Sequence, residues 1–335
     1  MSSKVKIIAE AGVNHNGSSK KAFDLVDAAC KAKVDYIKFQ TFKTEEVISK
    51  NAPKADYQKK NNSDKQTQYE MVKNLELSKK SHLQIIKYCQ KKKIKYFSTA
   101  FDNDSFIFLR KNGLDLCKIP SGEINNLPYL RFLGEQGLPI LMSTGMSTMQ
   151  EIEFALNTLV KSGTKKKNIT LLHCNTAYPT PFIDANLRAI KTLKDTFNIN
   201  VGYSDHTLGI EAAIAAVSIG ATFIEKHFTL NKNDQGPDHK ASLNVNELTK
   251  LVKSIRNVEL SLGNGIKTPT TSEKKNIFIA RRSIVAAIRI KKGTVFSSKN
   301  IKTKRPGNGL SPTLWDNIIG TKSKFDFEKD DLIKL

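Results

Sequence analysis

Residues 199–228 read INVGYSDHTLGIEAAIAAVSIGATFIEKHF, and this stretch decides the fold. Residues 199–204 are a short apolar run, 210–219 a helical segment rich in Ala and Ile, and 222–228 a second apolar run. Strand, helix and strand in that order make a βαβ unit with parallel strands. The same alternation extends in both directions. Strand-like runs occupy 5–12, 35–40, 94–100, 114–121, 139–143 and 169–174, and helix-period segments occupy 20–33, 78–92, 105–112, 127–136, 148–162, 186–197 and 245–262. Eight β-then-α units in the first 265 residues predict a (β/α)8 TIM barrel. A doubly wound sheet of this size has fewer strands, and no GxGxxG opens a helix. The polar stretch 44–68 interrupts the rhythm after the second strand, as an insertion in a loop above a barrel's active site would.

After Gly263 the pattern changes. Residues 266–280 read as a linker, and 281–335 as a small β domain with short strands at 283–290 and 294–296 and turns at Lys292-Gly293 and Pro306-Gly307-Asn308-Gly309. A domain of that size has a marginal core, so it is expected to dock on something. The expected division is a barrel at 1–265, the linker, and the C-terminal domain.

The chain carries 54 Lys and Arg against 32 Asp and Glu, a net charge of +22 over 335 residues. The excess is spread: residues 281–335 hold 13 basic and 5 acidic side chains, and the rest hold 41 and 27. Only 8 of the basic residues are Arg, the side chain that forks onto bases and phosphates. The reading is a lysine-rich surface and an anionic substrate, with no nucleic acid. No apolar run approaches the ~18 residues of a membrane span, and the Met1 end shows no secretory segment. Cys30, Cys89, Cys117 and Cys174 form no CxxC pair; buried thiols in a reducing compartment, hence the cytoplasm, are expected.

Chemistry in such a barrel sits at the C-terminal strand ends, and all eight ends here are polar. They carry Glu10 and Asn14-His15-Asn16; Lys38 and Gln40, two apart and so on one face; Ser98-Thr99; Lys118 and Ser121-Gly122-Glu123; Ser143-Thr144-Gly145; His173 through Thr180; Ser204-Asp205-His206; and Glu225 with His227. Lys38 and Lys118 suit a small phosphate-bearing anion, or else pair structurally with Glu10, Glu123 or Glu225. Ser143-Thr144-Gly145 could equally be a turn and helix cap. His206 and His227 end consecutive strands and would be neighbours. They could hold a metal with positions left for water and substrate, or be ordinary core histidines. His15, His173 and His239 are weaker ligands, and His82 reads as a helix-surface residue.

These segments resemble the sialic acid (N-acetylneuraminate) synthase family, which includes the legionaminic and pseudaminic acid synthases. The resemblance runs the full length and rests on 9–17 (AEAGVNHNG), 38–42 (KFQTF), 118–123 (KIPSGE), 143–146 (STGM), 178–181 (YPTP), 202–206 (GYSDH), 225–229 (EKHFT), 236–239 (GPDH) and 304–309 (KRPGNG). It implies a barrel followed by an antifreeze-like (SAF) β domain in a domain-swapped homodimer. The implied reaction condenses phosphoenolpyruvate with an N-acetylated aldose, N-acetylmannosamine in the sialic acid case, and uses a divalent cation, Mn2+ ahead of Mg2+ or Co2+. By resemblance His206 and His227 hold the metal. Lys38, Gln40, Thr99, Lys118, Ser121, Ser143, Thr176 and Ser204 form the phosphoenolpyruvate pocket. Glu10, Tyr178, Asp238 and the partner subunit's Arg305 contact the sugar. Two departures are Ala100, where the family often has proline, and Ala177, where many relatives carry an acid in a loop facing the sugar.

In the expected chemistry Glu10 is the base for the attacking water, with Asp238 second, and a carboxylate among lysines should stay ionised at neutral pH. A legionaminic or pseudaminic acid synthase using a diacetamido-trideoxyhexose is the alternative acceptor reading. A pyruvate-dependent metal aldolase and a binding protein are the rival classes.

Overall fold

Eight parallel strands alternate with helices from residue 6 onward in the computed structural model, which describes residues 4–54, 58 and 66–335. The strands are β1 (Lys6–Gly12), β2 (Tyr36–Thr41), β3 (Lys95–Ala100), β4 (Cys117–Ile119), β5 (Ile140–Ser143), β6 (Ile169–Cys174), β7 (Asn200–Asp205) and β8 (Phe223–His227). They are hydrogen-bonded in the order β3-β2-β1-β8-β7-β6-β5-β4. The remaining gap, β3 to β4, brings Cα atoms within 8 Å without a ladder among the described residues. This is the expected TIM barrel, nearly closed by main-chain bonds. β4 is shorter than the run at 114–121 because Pro120 has no N–H to donate and Ser121–Glu123 turns into a 3-10 helix.

The helices α1 (Ser19–Ala32), α4 (Lys79–Lys92), α5 (Asn103–Lys111), α6 (Leu127–Gly134), α7 (Met149–Lys161), α8 (Ala189–Phe197), α9 (Glu211–Ser218) and α10 (Val245–Ser261) follow the strands. Their starts are written in the sequence. Thr148 with Glu151 and Asn244 with Glu247 form capping boxes, and the Ser18 hydroxyl accepts from the Lys21 N–H. α8 starts later than its pattern because Asn186 takes a left-handed φ of 40°. The helices bury one stripe each against a sheet of Ile, Leu, Val and Phe. On α4 that stripe is His82, Ile85, Ile86 and Cys89, so His82 is buried rather than at the surface.

The insertion carries two short helices, α2 (Thr44–Val47) and α3 (Gln68–Leu75); its residues 55–57 and 59–65 lie outside the described residues. No helix among the described residues is long and apolar enough to cross a membrane.

One compact unit ends at Asn264 and a second spans Gly265–Leu335. The second has its own apolar cluster, built around Ile284, Ile290, Phe296, Ile301 and Phe327. Its antiparallel pair joins β9 (Ser283–Ala286) to β10 (Ile301–Lys304), and a short helix α12 (Trp315–Ile318) follows. The stretch read as a linker contains a helix, α11 (Thr271–Ala280), started by a Thr270–Glu273 capping box. No apolar stripe announces this helix, since all its residues but Ile277 are exposed.

Candidate active site

Period-two alternation turns one residue of each strand end inward, and the strands bring these together. A cavity of about 490 Å³ is lined by Glu10, Lys38, Gln40, Thr99, Lys118, Ser121, Ser143, Thr176, Tyr178, Ser204, His206, Glu225 and His227, among others. Asp238 lines an adjoining cavity that shares Gln40, Tyr178 and His227 with the first. Of the residues singled out in sequence, only Arg305 belongs to the second unit, where it is exposed.

Charge is concentrated in the centre. Lys38 Nζ donates to Thr99 Oγ1 at 3.1 Å and lies 3.1 Å from Glu10 Oε1 and 3.4 Å from Glu225 Oε1. Lys118 Nζ donates to Ser143 Oγ at 2.7 Å and lies 4.0 Å from Glu225 Oε1. The ion-pair reading of the lysines therefore holds for Glu10 and Glu225. Glu123 instead accepts from Asn126 Nδ2. Glu225 was visible as a strand-end carboxylate but not as a site residue; its spacing from His227 on β8 was the available signal.

Burial and charge set the protonation states. Burial pushes the Glu10 carboxyl up to about 7 even against the lowering effect of Lys38. Burial thus favours the protonated form of Glu10 more than a carboxylate among lysines was expected to show, while Lys38 favours its charge. Glu225 feels the same burial, but Lys118 and Lys38 outweigh it and bring its carboxyl down to about 2. Burial lowers the Lys118 ammonium. At Lys38 burial is outweighed by Glu10 and Glu225, so that ammonium is held above its usual range. Asp238 is pushed up to about 6 by burial.

His206 and His227 lie side by side, ring centroids 5.5 Å apart, and Tyr178 covers both, 4.1 Å from the first and edge-on at 5.6 Å to the second. Burial brings His206 down to about 4 and His227 well below its ordinary value, so both rings are neutral. His206 Nδ1 meets the Asn175 carbonyl at 2.5 Å. Only a protonated Nδ1 can donate there, which leaves Nε2 as the acceptor nitrogen; the Ser204 hydroxyl lies 3.4 Å from it and is also placed to donate to Glu225 Oε1 at 3.1 Å, so the Nε2 lone pair can turn to a ligand. His227 Nδ1 is buried without a hydrogen-bond partner, 3.8 Å from Asp238 Oδ2. Two neutral imidazoles with available lone pairs fit a divalent cation. The described residues hold no group of three or more His, Cys, Asp or Glu placed to ligate one, so its other ligands would be substrate or water. Glu10 Oε2 and Glu225 Oε2 are likewise buried and unpartnered; orphaned polar atoms on one cavity wall are the mark of a site built for a ligand.

Backbone geometry supports this wall. β1 bulges between Glu10 and Gly12, and Gly12 takes φ 51°. A Cβ at Gly12 would come within 3.3 Å of Glu10 Oε1 and 3.4 Å of His227 Cε1. At Gly145 a Cβ would lie 2.7 Å from Thr176 Cγ2 and 2.8 Å from Ser121 Oγ, so the glycine lets two pocket side chains meet. Asp205 and Lys226, one step out of phase with the inward residues, form a wholly buried pair at 2.7 Å that ties β7 to β8 behind the two histidines.

The other histidines do not line the charged cavity, although the Nε2 atoms of His15 and His82 are also buried without a partner. His15 Nδ1 accepts from the Gly17 N–H, His173 Nε2 meets the Ala185 carbonyl, and His239 bridges Thr229 and Asn16. Asn14 and Asn16 staple the first loop to the 228–242 loop through Phe228 O, Ser242 and Gln235 O. They position Asp238 from behind and do not enter the cavity.

The NeuB family model matches residues 25–267, and the SAF domain model matches 281–335. The chain belongs to the NeuB family. It is 49% identical over 99% of both chains to the N,N'-diacetyllegionaminic acid synthase of Campylobacter jejuni. It is 44% identical to the N,N'-diacetyllegionaminic acid synthase of Legionella pneumophila, over 94% of this chain and 89% of that one. Among solved structures, an N-acetylneuraminic acid synthetase from Leptospira borgpetersenii in complex with citrate superimposes with a TM-score of 0.73 at 38% identity, covering 82% of this chain and 90% of that one. This NeuB-family chain is an enzyme of the nonulosonic acid synthase type with a TIM barrel and a SAF domain.

Proposed function

We propose that this NeuB-family enzyme condenses phosphoenolpyruvate with a 2,4-diacetamido-2,4,6-trideoxyhexose, releasing phosphate and an N,N'-diacetyllegionaminic-type acid. N-acetylmannosamine, the acceptor first expected from the motifs, gives way to the alternative. The observation that carries this is the 49% identity, over essentially the whole chain, to a diacetyllegionaminic acid synthase. The 38% identity to a sialic acid synthetase keeps N-acetylmannosamine as the second reading.

In this reading Lys38 and Lys118 offset the charges of phosphoenolpyruvate, and Thr99, Ser121, Ser143, Thr176 and Ser204 donate to its oxygens. Gln40, beside Glu10, orients the donor. A divalent cation on His206 and His227, Mn2+ ahead of Mg2+ or Co2+, would supply Lewis-acid polarisation of the acceptor carbonyl. Tyr178 and Asp238 border the acceptor's path. The donor's methylene carbon bonds to the aldehyde carbon, whose oxygen takes up a proton and becomes a hydroxyl; water adds at the electron-poor C2 of the donor, and the C–O bond breaks with its electron pair leaving on phosphate as the C2 hydroxyl gives up its proton to become the carbonyl. Glu10 takes the proton from that water, and its carboxyl near 7 suits such a base. The four free thiols agree with a cytoplasmic location.

The test offers purified enzyme phosphoenolpyruvate or, separately, pyruvate, with Mn2+ and a panel of N-acetylated and diacetamido hexoses, following phosphate and product mass. Diacetamido-trideoxyhexoses should turn over best. Turnover of N-acetylmannosamine alone would restore the sialic acid reading, and condensation with pyruvate without phosphate release would move the enzyme to the aldolases.

The proposed assembly is a domain-swapped homodimer in which the partner subunit's Arg305 completes each sugar site. Mixing Arg305→Ala chains with His206→Ala chains should then recover up to about a quarter to a half of the activity per site, as expected when one composite site per mixed dimer is intact. Mixed dimers with no recovered activity would remove Arg305 from the neighbour's site.

A further inference from the structure

Behind the two histidines lies a polar cluster that does not line the charged cavity. Asp205 and Lys226 immediately precede His206 and His227 in the chain, and they stand opposite each other in the β7–β8 register. Both side chains are shut off from solvent, and Lys226 Nζ donates to Asp205 Oδ2 at 2.7 Å. Thr207, the residue after His206, is as deeply buried. Asp205 Oδ1 accepts from the Thr207 N–H and hydroxyl at 2.8 Å each, and Lys226 Nζ donates to the Thr207 carbonyl at 2.5 Å. One ion pair thus grips the main chain on both sides of His206, and does so from the strand that carries His227.

The register shows what this grip replaces. The β7–β8 ladder runs from Tyr203 and Ile224 to Asp205 and Lys226, so the two histidines sit one residue past the last registered pair of their strands. His227 Nδ1 makes no hydrogen bond, which leaves that ring to be placed by its backbone. The His206 carbonyl accepts from the Thr180 N–H and its Nδ1 meets the Asn175 carbonyl; both contacts tie it to the 175–180 loop and neither ties it to β8. Apolar packing could join two strands without the desolvation penalty of buried charge. What the ion pair adds is direction, because its hydrogen bonds fix which backbone atoms meet.

We propose that Asp205 and Lys226 are positioning residues for the cation, holding His206 and His227 at the separation that lets both ligate one ion. They act through the backbone at Thr207 and at their own positions beside the ligands, as a support shell does behind a metal site. The inference rests on the proposed metal role of the two histidines. Ser204 and Glu225, one step back, lie within the ladder, so the phosphoenolpyruvate wall keeps its main-chain support without the pair.

Calorimetric titrations with Mn2+ and, on metal-free enzyme, with phosphoenolpyruvate test it. The double variant Asp205→Asn/Lys226→Met removes both charges, so neither is left buried alone, and the Asn oxygen can still accept from Thr207. It should melt near the wild-type temperature and bind phosphoenolpyruvate as wild type does, yet bind Mn2+ about 10- to 100-fold more weakly. Lys226→Gln, one bond shorter and uncharged, should show the same split in smaller measure, and it carries the test if the double variant fails to fold. Unchanged Mn2+ affinity in a folded variant overturns the positioning role, and so does an equal loss of affinity for Mn2+ and phosphoenolpyruvate, which marks a general loosening. Failure of both variants to fold would make the pair structural and also overturn it. Wild-type enzyme that binds no Mn2+ would overturn the metal reading itself, and the positioning role with it.

Discussion

His206→Ala and His227→Ala are each expected to lower kcat/KM by about a thousandfold or more in the presence of Mn2+, with the fold retained. Lewis-acid stabilisation of a developing oxyanion is worth several kcal/mol, and each 1.36 kcal/mol is about tenfold in rate. The cost to stability should be far smaller, for reasons visible at the two rings. His227 Nδ1 makes no hydrogen bond that truncation would forfeit. His206 loses its bond to the Asn175 carbonyl and its stacking on Tyr178, about 1–3 kcal/mol together. Circular dichroism and a melting curve should therefore report folded protein for both variants, while calorimetric Mn2+ binding is lost. Full Mn2+-dependent turnover in either variant would remove that histidine from the metal.

Much of this site could be read from the sequence because a barrel converts strand spacing into position. Lys38 with Gln40 and Glu225 with His227 are two apart, so each pair shares a face, and consecutive strands place His206 beside His227. Spacing could not reveal which charges compensate one another across the barrel. Glu225 lies against both Lys38 and Lys118, and only the closure of the sheet brings three distant strand ends that near. Protonation was hidden for the same reason: Glu10 is raised by burial, a property of everything packed around it. Two errors had different sources. His82 was legible, since it shares a three- and four-residue stripe with Ile85, Ile86 and Cys89, but its polarity suggested the surface. Helix α11 was not legible, because a helix exposed on nearly all sides leaves no periodic trace. The small apolar cluster of Val13, Phe42 and Leu75, packed apart from the barrel core, was obscured by its location. Phe42, Val47, Met71 and Leu75 flank or sit within a polar insertion, where apolar residues are too sparse to show a period.

Glu10→Gln is expected to lower kcat by about two to four orders of magnitude, the usual worth of a positioned acid or base. The substitution is nearly isosteric, and an amide oxygen can still accept from Lys38 and Gln40 in place of Oε1. What disappears is the ability to take a proton and one negative charge beside Lys38. The two losses act on different kinetic constants. With Glu10 neutral, Glu225 is the one carboxylate left within 4 Å of Lys38 among the described residues, so the ammonium is freer to attract a phosphate or carboxylate. KM for phosphoenolpyruvate should accordingly stay the same or fall while kcat collapses. A merely structural role would instead raise KM and lower kcat together through a loosened pocket. Asp238→Asn provides the comparison, since Asp238 is a further buried carboxyl, lining the adjoining cavity beside His227. If Asp238→Asn has the larger effect on kcat and Glu10→Gln only a modest one, the base that activates water is Asp238, and Glu10 serves to balance the charge of Lys38.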